Sequence, residues 1–322
     1  MKPATRRVLT LARIAALLTG LPLLIVWAAR EAALGAGWHR GLIPGVLLSQ
    51  LTIVLYALRF RLSLAMAGIA LRLRDALGIT TQAVFYQCFV PFSIGGDLAK
   101  LLSLKAATHA TPSVVAGIVL DHAVGFIGLV ALASALFAYA DPIGLEVSPQ
   151  RLAVVAAAVL SVLLLAGYAV ARRRARHLNE RDGAVPGSVL GIARRHLGRL
   201  ALTLVVSVVM HAGLAAAVWL GGQASGVSLD YITVLFVLTC AWTFQSIPVQ
   251  FLGIGAAELV ATALYTAVGL TPATALFMTS LLVCYRLLMA VTGGAWHAQA
   301  ILRAQLTAAP RRPCVSVRAA PH

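Results

Sequence analysis

Three acidic residues lie within long apolar stretches of this chain, at Asp97, Asp121 and Glu258. An ionised carboxylate near the centre of a bilayer costs about 2.5 to 3.5 kcal/mol on insertion scales, so such acids usually face protein or water. There they can bind a cation, exchange a proton or control the passage of a charged group. These three side chains are therefore the first candidates for chemistry.

Two basic residues are candidate partners for these acids. Lys100 follows Asp97 by one helical turn and can pair with it. Arg286 lies in the middle of an apolar run, where a guanidinium needs a protein carboxylate or a phosphate that it can hold through two parallel hydrogen bonds. We predict a buried pair between Asp121 and Arg286. For Asp97 and Arg286, a purely structural ion pair remains the alternative to a direct role in function.

Helical spacing indicates which way Asp121 points. It shares one face of a helix with Gly117, Gly125 and Gly128, and a stripe of small residues lets another helix approach closely. We therefore expect Asp121 to point into a helix bundle. His122 lies about 100° further round the helix and is expected to be a neutral, packed histidine.

Glu258 lies on a polar stripe of its own. It shares a face with Thr262 and Tyr265 in an otherwise apolar segment, a pattern typical of a hydrated groove. Gly253 and Gly255 expose backbone amides just before it, and a helix that begins there would favour an anion. Because Glu258 would repel an anion, we expect it to hold a cation, a proton or a basic partner.

The acids at Asp97 and Glu258 follow breaks that resemble one another. The breaks combine prolines and glycines, at Pro91, Gly95 and Gly96 in the first and at Pro248, Gly253 and Gly255 in the second. The two carboxylates are 161 residues apart (258 − 97). A broken helix that carries an acid, repeated once in each half, is typical of a membrane carrier whose site lies between two repeats.

Composition places these residues in a membrane protein. Of 322 residues, 60% are hydrophobic and 11% are charged, too apolar for a water-soluble globule of this size. Six apolar stretches approach the length of a span, at 14–29, 42–58, 113–140, 152–171, 200–222 and 273–298. We predict an all-α polytopic bundle of six full spans plus two re-entrant broken helices at 76–108 and 231–269. About eight spans remain the alternative.

The basic residues predict the orientation. The net charge is +16, and most of the basic residues fall in a few segments, among them the cluster from Arg59 to Arg74 and the loop 172–199. The positive-inside rule is satisfied if all of these segments are cytoplasmic. This places both termini in the cytoplasm and the protein in a bacterial inner membrane, without any need for nucleic acid as a partner. Because each half then has an odd number of crossings, the repeats are inverted. The predicted units are 1–145, 146–302 and a disordered basic tail at 303–322.

Motifs for soluble chemistry do not occur in the sequence. The four cysteines show no paired spacing, and there is no zinc-protease, phosphate-loop, nucleophile-elbow or dinucleotide pattern. We therefore expect no enzyme activity, no metal and no cofactor.

The order of these residues resembles the flippase-like integral membrane domain of lysylphosphatidylglycerol synthases and of many stand-alone bacterial and archaeal proteins. The resemblance covers roughly residues 59 to 297 and rests on Pro91, Gly95, Gly96, Asp97, Lys100, Asp121, His122, Gly125, Pro248, Gly253, Gly255, Glu258 and Arg286. The family has arginine where this chain has Lys100, His122 and Ala257, which weakens the case for bidentate phosphate recognition and leaves Lys100 as a point charge. We expect a stand-alone member without the synthase domain.

The resemblance implies a protein that moves, or helps to move, an amphipathic lipid between leaflets. The lipid would be an anionic phospholipid, a glycolipid or a hopanoid-type lipid. Lys100 and Arg286 would accompany an anionic headgroup, while Asp97 and Glu258 would gate it or exchange a proton. The alternatives are a non-transporting partner that binds lipid and scaffolds a lipid-synthesis enzyme, and an integral membrane transferase. The sequence indicates no oligomeric state.

Overall fold

The computed structural model describes residues 42–89, 95–108, 111–140, 191, 195–246, 250–251, 254–306 and 318–319. The predicted spans at 14–29 and 152–171 lie outside these residues. So do most of the basic loop 172–199 and three of the predicted break residues, Pro91, Pro248 and Gly253.

Eight α-helices make up nearly all of the described chain. They are α1 (Leu42–Met66), α2 (Leu73–Phe89), α3 (Gly95–Thr108), α4 (Thr111–Ala140), α5 (Leu197–Ala224), α6 (Tyr231–Thr243), α7 (Ala256–Ala267) and α8 (Pro272–Leu306). The four strands are two residues each: β1 (Ile69–Ala70), β2 (Gln250–Phe251), β3 (Ile254–Gly255) and β4 (Arg318–Ala319). The predicted all-α class is confirmed.

Four of these helices are long and apolar enough to cross a membrane. They cover Leu42–Met66, Pro112–Phe137, Leu197–Ala224 and Pro272–Gln299, and they coincide with four of the six predicted spans. The chain is therefore a multi-pass membrane protein. Helix α8 continues to Leu306, beyond the predicted start of the tail at residue 303. In the tail itself, β4 pairs antiparallel with β1.

Local signals at the helix ends explain where several helices begin and end. The Asp230 carboxylate accepts hydrogen bonds from the backbone N–H and the hydroxyl of Thr233, at 2.9 and 2.6 Å, and so caps α6. Burial would raise the pKa of Asp230, but the hydrogen bonds from Thr233 outweigh that effect and lower it. Gly226 and Gly269 follow α5 and α7 with positive φ angles of 85° and 96°, the left-handed conformation that commonly ends a helix.

The described helices follow the same order twice. A long helix, two short helices and a long helix form α1 to α4, and the same series forms α5 to α8. The helix starts are offset by similar amounts: 155 (197 − 42), 158 (231 − 73), 161 (256 − 95) and 161 (272 − 111). The packing repeats as well, because α4 contacts α6 of the second series while α8 contacts α2 of the first. This order is what two repeats require, and their opposite orientation stays a prediction.

The short helices form two hairpins. A Cβ atom on Gly96 at the start of α3 would lie 2.9 Å from the Ala83 carbonyl oxygen of α2, so the chain turns back on itself between these helices. Helices α6 and α7 also contact each other, and the small β2–β3 pair lies between them in the chain. At 1.5 Å per residue, helices of 17, 14, 13 and 12 residues are about 18 to 26 Å long, too short to cross a core of about 30 Å. Both hairpins are compatible with the re-entrant prediction.

Close helix contacts depend on glycine at a few positions, and Gly293 of α8 allows a test. A Cβ atom there would overlap the backbone carbonyl of Thr81 on α2. We expect Gly293→Ala to lower the free energy of unfolding by about 1 to 3 kcal/mol, because neither backbone can give way. Gly198→Ala is the control, since a Cβ atom at Gly198 meets nothing within 4 Å. It should leave stability unchanged or raise it by up to about 1 kcal/mol. Thermal unfolding in detergent measures both, and equal melting temperatures would contradict the packing.

Candidate functional site

The small-residue stripe on α4 brings Asp121 into the centre of the first helices. A Cβ atom on Gly117 would meet Leu64 of α1, and one on Gly125 would lie 2.8 Å from the Arg59 guanidinium. On the same stripe, Gly128 faces Ser207 of α5. The expectation that Asp121 points into the bundle is confirmed, and its side chain is fully buried.

Asp121 binds two cations from two different helices. The Arg59 Nε atom donates to Asp121 Oδ1 at 2.9 Å, and Nη2 donates to Oδ2 at 3.4 Å. The Lys100 Nζ atom donates to Oδ2 at 3.2 Å. The predicted pair between Asp121 and Arg286 is therefore wrong, because α1 and α3, and not α8, bring basic groups to this carboxylate.

Arg59 is a site residue that the sequence reasoning missed, since it was counted among the basic residues of a cytoplasmic loop. Its Nη1 atom also donates to the Ser207 hydroxyl at 3.3 Å, and its guanidinium lies 4.7 Å from the centre of the Tyr56 ring. A signal was present in α1. Polar side chains recur there at helical spacing, at Ser49, Thr52, Tyr56, Arg59 and Ser63.

Lys100 lies between aromatic rings. Its Nζ atom is 4.5 Å from the centre of the Phe60 ring and 5.3 Å from that of the Tyr56 ring, distances at which a cation is attracted to a π face. The side chain is buried. Lys100 is therefore held by Asp121 and by two rings of α1, and not by Asp97 as the spacing suggested.

Asp97 has a different partner from the predicted one. The His122 Nε2 atom lies 2.8 and 2.9 Å from the two carboxylate oxygens of Asp97. The His122 side chain is 56% exposed, so the expectation of a packed histidine is wrong. Asp97 and Lys100 still attract each other electrostatically along α3, although no hydrogen bond joins them.

The second half holds its own buried ion pair. Helix α7 begins at Ala256, as the predicted half-helix start required, and Glu258 lies in its first turn. Glu258 Oε2 accepts a hydrogen bond from the Gly255 N–H at 2.7 Å, and Oε1 accepts one from Arg286 Nη1. The expected basic partner of Glu258 is thus Arg286. The Thr262 hydroxyl donates to the Thr279 hydroxyl at 2.9 Å and links the same two helices.

Tyr56 connects the two sets of charges. The Arg59 guanidinium and the Lys100 Nζ atom lie 4.7 and 5.3 Å from the centre of its ring, and its hydroxyl is near enough to Arg286 to influence it. Cys88, at the end of the first hairpin's α2, interacts electrostatically with both Glu258 and Arg286. The end of α2, at the tip of the first hairpin, therefore lies beside the start of α7 in the second hairpin. We refer to Arg59, Lys100, Asp121, Glu258 and Arg286 as the buried charge network.

The network contains three cations and two carboxylates, each buried or nearly so. Asp97, at its edge, supplies a third carboxylate to the same group of helices. Every cation of the network already has a protein acid as its partner, so an external anion has to compete with these carboxylates for the same positive charges. Within the described residues, no group of three or more His, Cys, Asp and Glu side chains could hold a metal ion.

The network makes a prediction about stability. Asp121→Asn leaves Arg59 and Lys100 buried without a full counter-charge, and removing one partner of a buried ion pair costs about 3 to 5 kcal/mol. We expect a melting temperature far below that of the wild type. Replacing all three charges together, with Arg59→Met, Lys100→Met and Asp121→Leu, should restore most of the loss, because an apolar set is often as stable as a buried ion pair.

Asp75→Asn provides the matched control for that measurement. Asp75 pairs at 2.9 Å with Arg72, whose side chain is 66% exposed, and such a pair is worth at most about 1 kcal/mol. Thermal unfolding of the purified proteins in one detergent compares the three variants. A small effect of Asp121→Asn, similar to that of Asp75→Asn, would contradict the network as described.

Comparison with known proteins identifies the family of this chain. No curated protein and no solved structure matches the chain. A family model described as the lysylphosphatidylglycerol synthase TM region matches residues 10–294. That range covers helices α1 to α7 completely and α8 as far as residue 294. The family match links this membrane protein to lipid handling. The chain therefore belongs to the lysylphosphatidylglycerol synthase transmembrane-region family.

Proposed function

We propose that this protein moves an amphipathic lipid with an anionic headgroup between the two leaflets of its membrane. The observation that carries the proposal is the buried charge network, five charged side chains inside a bundle whose long helices are apolar. Under this proposal the headgroup passes along the network, and the acyl chains stay in the bilayer.

The energetics of the network favour a functional role over a structural one. Each buried charge loses its hydration, and a buried ion pair regains that free energy only with good geometry and further hydrogen bonds. Apolar side chains of similar size would hold the same helices together at least as well. Charged residues within membrane spans usually mark the path of a substrate or an ion.

Arg286 is the group best suited to hold a phosphate. A guanidinium can donate two parallel hydrogen bonds to phosphate oxygens, which a lysine cannot match. In the described structure Arg286 is bound to Glu258, and under this proposal the headgroup takes the place of that carboxylate. Glu258 keeps a second partner when this happens, because its Oε2 atom already accepts the Gly255 N–H at 2.7 Å. The exchange therefore leaves neither charge without a hydrogen bond.

Arg59 and Lys100 provide the other stage of the path. Both are bound to Asp121, and both contact Tyr56, which also interacts with Arg286. A phosphate that leaves Arg286 therefore meets two further cations across a single aromatic side chain. The three acids of the proposed path differ in setting, since Asp121 and Glu258 are buried while the Asp97 side chain is 36% exposed.

The test is headgroup exchange in reconstituted vesicles. A fluorescent phosphatidylglycerol is the probe, and a membrane-impermeant quencher reports which leaflet it occupies. We expect Glu258→Gln combined with Asp97→Asn to reduce the exchange rate at least about tenfold, because a loss of 1.4 kcal/mol in the interactions that lower the barrier is a factor of ten. Arg286→Ala should reduce it as strongly and should also lower the amount of anionic lipid that copurifies.

Asp75→Asn is again the control, because it changes a carboxylate to an amide on α2 outside the network. It should exchange lipid at the wild-type rate. Unchanged exchange in the double variant would reject the mechanism. Lipid that copurifies with a wild-type protein incapable of exchange would favour the lipid-binding scaffold instead.

A further inference from the structure

Asp97 and His122 form a polar pair on the outside of the described helices. Their side chains are 36% and 56% exposed. His122 belongs to α4, whose apolar membrane-length segment is Pro112–Phe137, with its midpoint between Val124 and Gly125. At a rise of 1.5 Å per residue, His122 lies about 4 Å from the middle of that span. The pair is thus both exposed and close to mid-membrane depth.

The side chains around this pair are apolar. Val119 on α4 and Leu98 and Leu102 on α3 are exposed, as expected for residues that face acyl chains. A carboxylate and an imidazole among them would be strongly unfavourable if hydrocarbon alone surrounded them. The seam between α3 and α4 must therefore admit water or polar lipid groups at this depth.

Polar contacts lead inward from the pair to the buried charge network. Lys100 lies one turn after Asp97 on α3, attracts it electrostatically, and donates to Asp121 Oδ2 at 3.2 Å. Asp121 accepts from Arg59 Nε at 2.9 Å. Three basic groups, one on each of α4, α3 and α1, thus follow one another from the surface to the interior. An anion that moves inward meets a hydrogen-bond donor at every step.

We propose that the Asp97–His122 pair is the lateral access site through which the phosphate of an anionic phospholipid enters the seam between α3 and α4. This inference rests on the proposed function and names the place of entry. The phosphate replaces the Asp97 carboxylate as the acceptor at His122 Nε2 and then passes to Lys100. An exposed ion pair is weak compared with a buried one, so exchange begins most easily at this pair.

The choice of a phosphate follows from charge. His122, Lys100 and Arg59 can all donate hydrogen bonds to phosphate oxygens, whereas an ammonium group could bind the Asp97 carboxylate but would then meet Lys100. Inorganic phosphate shares this chemistry. The experiment therefore has to separate the lipid from the free ion.

Two single-cysteine proteins, made after alanine replaces the native cysteines, measure access to the seam. Val119→Cys places a thiol beside the pair, and Val205→Cys places one on the exposed face of α5. The two positions are matched, because each lies about five and a half residues, or about 8 Å, from the midpoint of its own apolar segment. N-ethylmaleimide reacts with the thiolate, which forms in water and is suppressed in apolar surroundings. Mass spectrometry gives the rate of modification.

In phosphatidylcholine vesicles we expect Val119→Cys to react at least about tenfold faster than Val205→Cys. Vesicles that contain phosphatidylglycerol should slow the Val119→Cys reaction, because headgroups occupy the seam, without slowing Val205→Cys to the same degree. Adding His122→Ala should remove this protection. Exchange of fluorescent phosphatidylglycerol in the same vesicles tests the proposed function separately.

Three results would overturn the access site. Equal reaction rates at the two positions would mean that the seam is as dry as the face of α5. Equal rates for Val119→Cys in both kinds of vesicle would mean that no anionic headgroup enters. Equal protection by inorganic phosphate in phosphatidylcholine vesicles would identify a site for a free anion. If the labelling results hold but no lipid is exchanged, the access site stands as a lipid-binding site and the proposed function fails.

Discussion

A single buried carboxylate, that of Asp121, joins three of the first four helices. It draws Arg59 of α1 and Lys100 of α3 towards α4, with donor to acceptor distances of 2.9 and 3.2 Å. The two buried cations repel each other, and this repulsion is poorly screened in a medium of low dielectric constant. They can share one site only because the carboxylate of Asp121 lies between them. Gly125 on α4 leaves room for this contact, because a larger residue there would keep Arg59 away from Asp121.

The two halves share a fold but not a distribution of charge. Asp97 and Glu258 hold corresponding places at the start of α3 and α7, 161 residues apart. Asp97 meets a histidine at the surface, whereas Glu258 meets an arginine in the interior. The repeated order of helices thus presents two unlike environments. Under the proposed function, a headgroup would pass from the exposed Asp97–His122 pair to the buried pair of Glu258 and Arg286.

The sequence was sufficient for the membrane class, for the inward position of Asp121 and for the helix starts at Gly95 and after Gly255, because each depends on composition or on spacing within one segment. Partners were harder to predict. Asp121 was assigned to Arg286 and Asp97 to Lys100, and both assignments failed because spacing along a chain does not show which helices are neighbours. Arg59 was missed for a related reason, since a count of basic residues in loops placed it at the membrane surface. The polar residues at helical spacing before it in α1 were the sign that it faces inward.

Glu258 has a double attachment whose consequence concerns the motion of the second hairpin. It accepts the Gly255 N–H at the start of α7 and binds Arg286 of α8, so one side chain joins the two helices. Under the proposed function, a headgroup that captures Arg286 would break this link and leave α7 attached to α8 through the hydrogen bond between Thr262 and Thr279 and through apolar packing. Most ligands make the protein that binds them more rigid. Here the bound headgroup would have the opposite effect, and the second hairpin would be more mobile with lipid bound than without it.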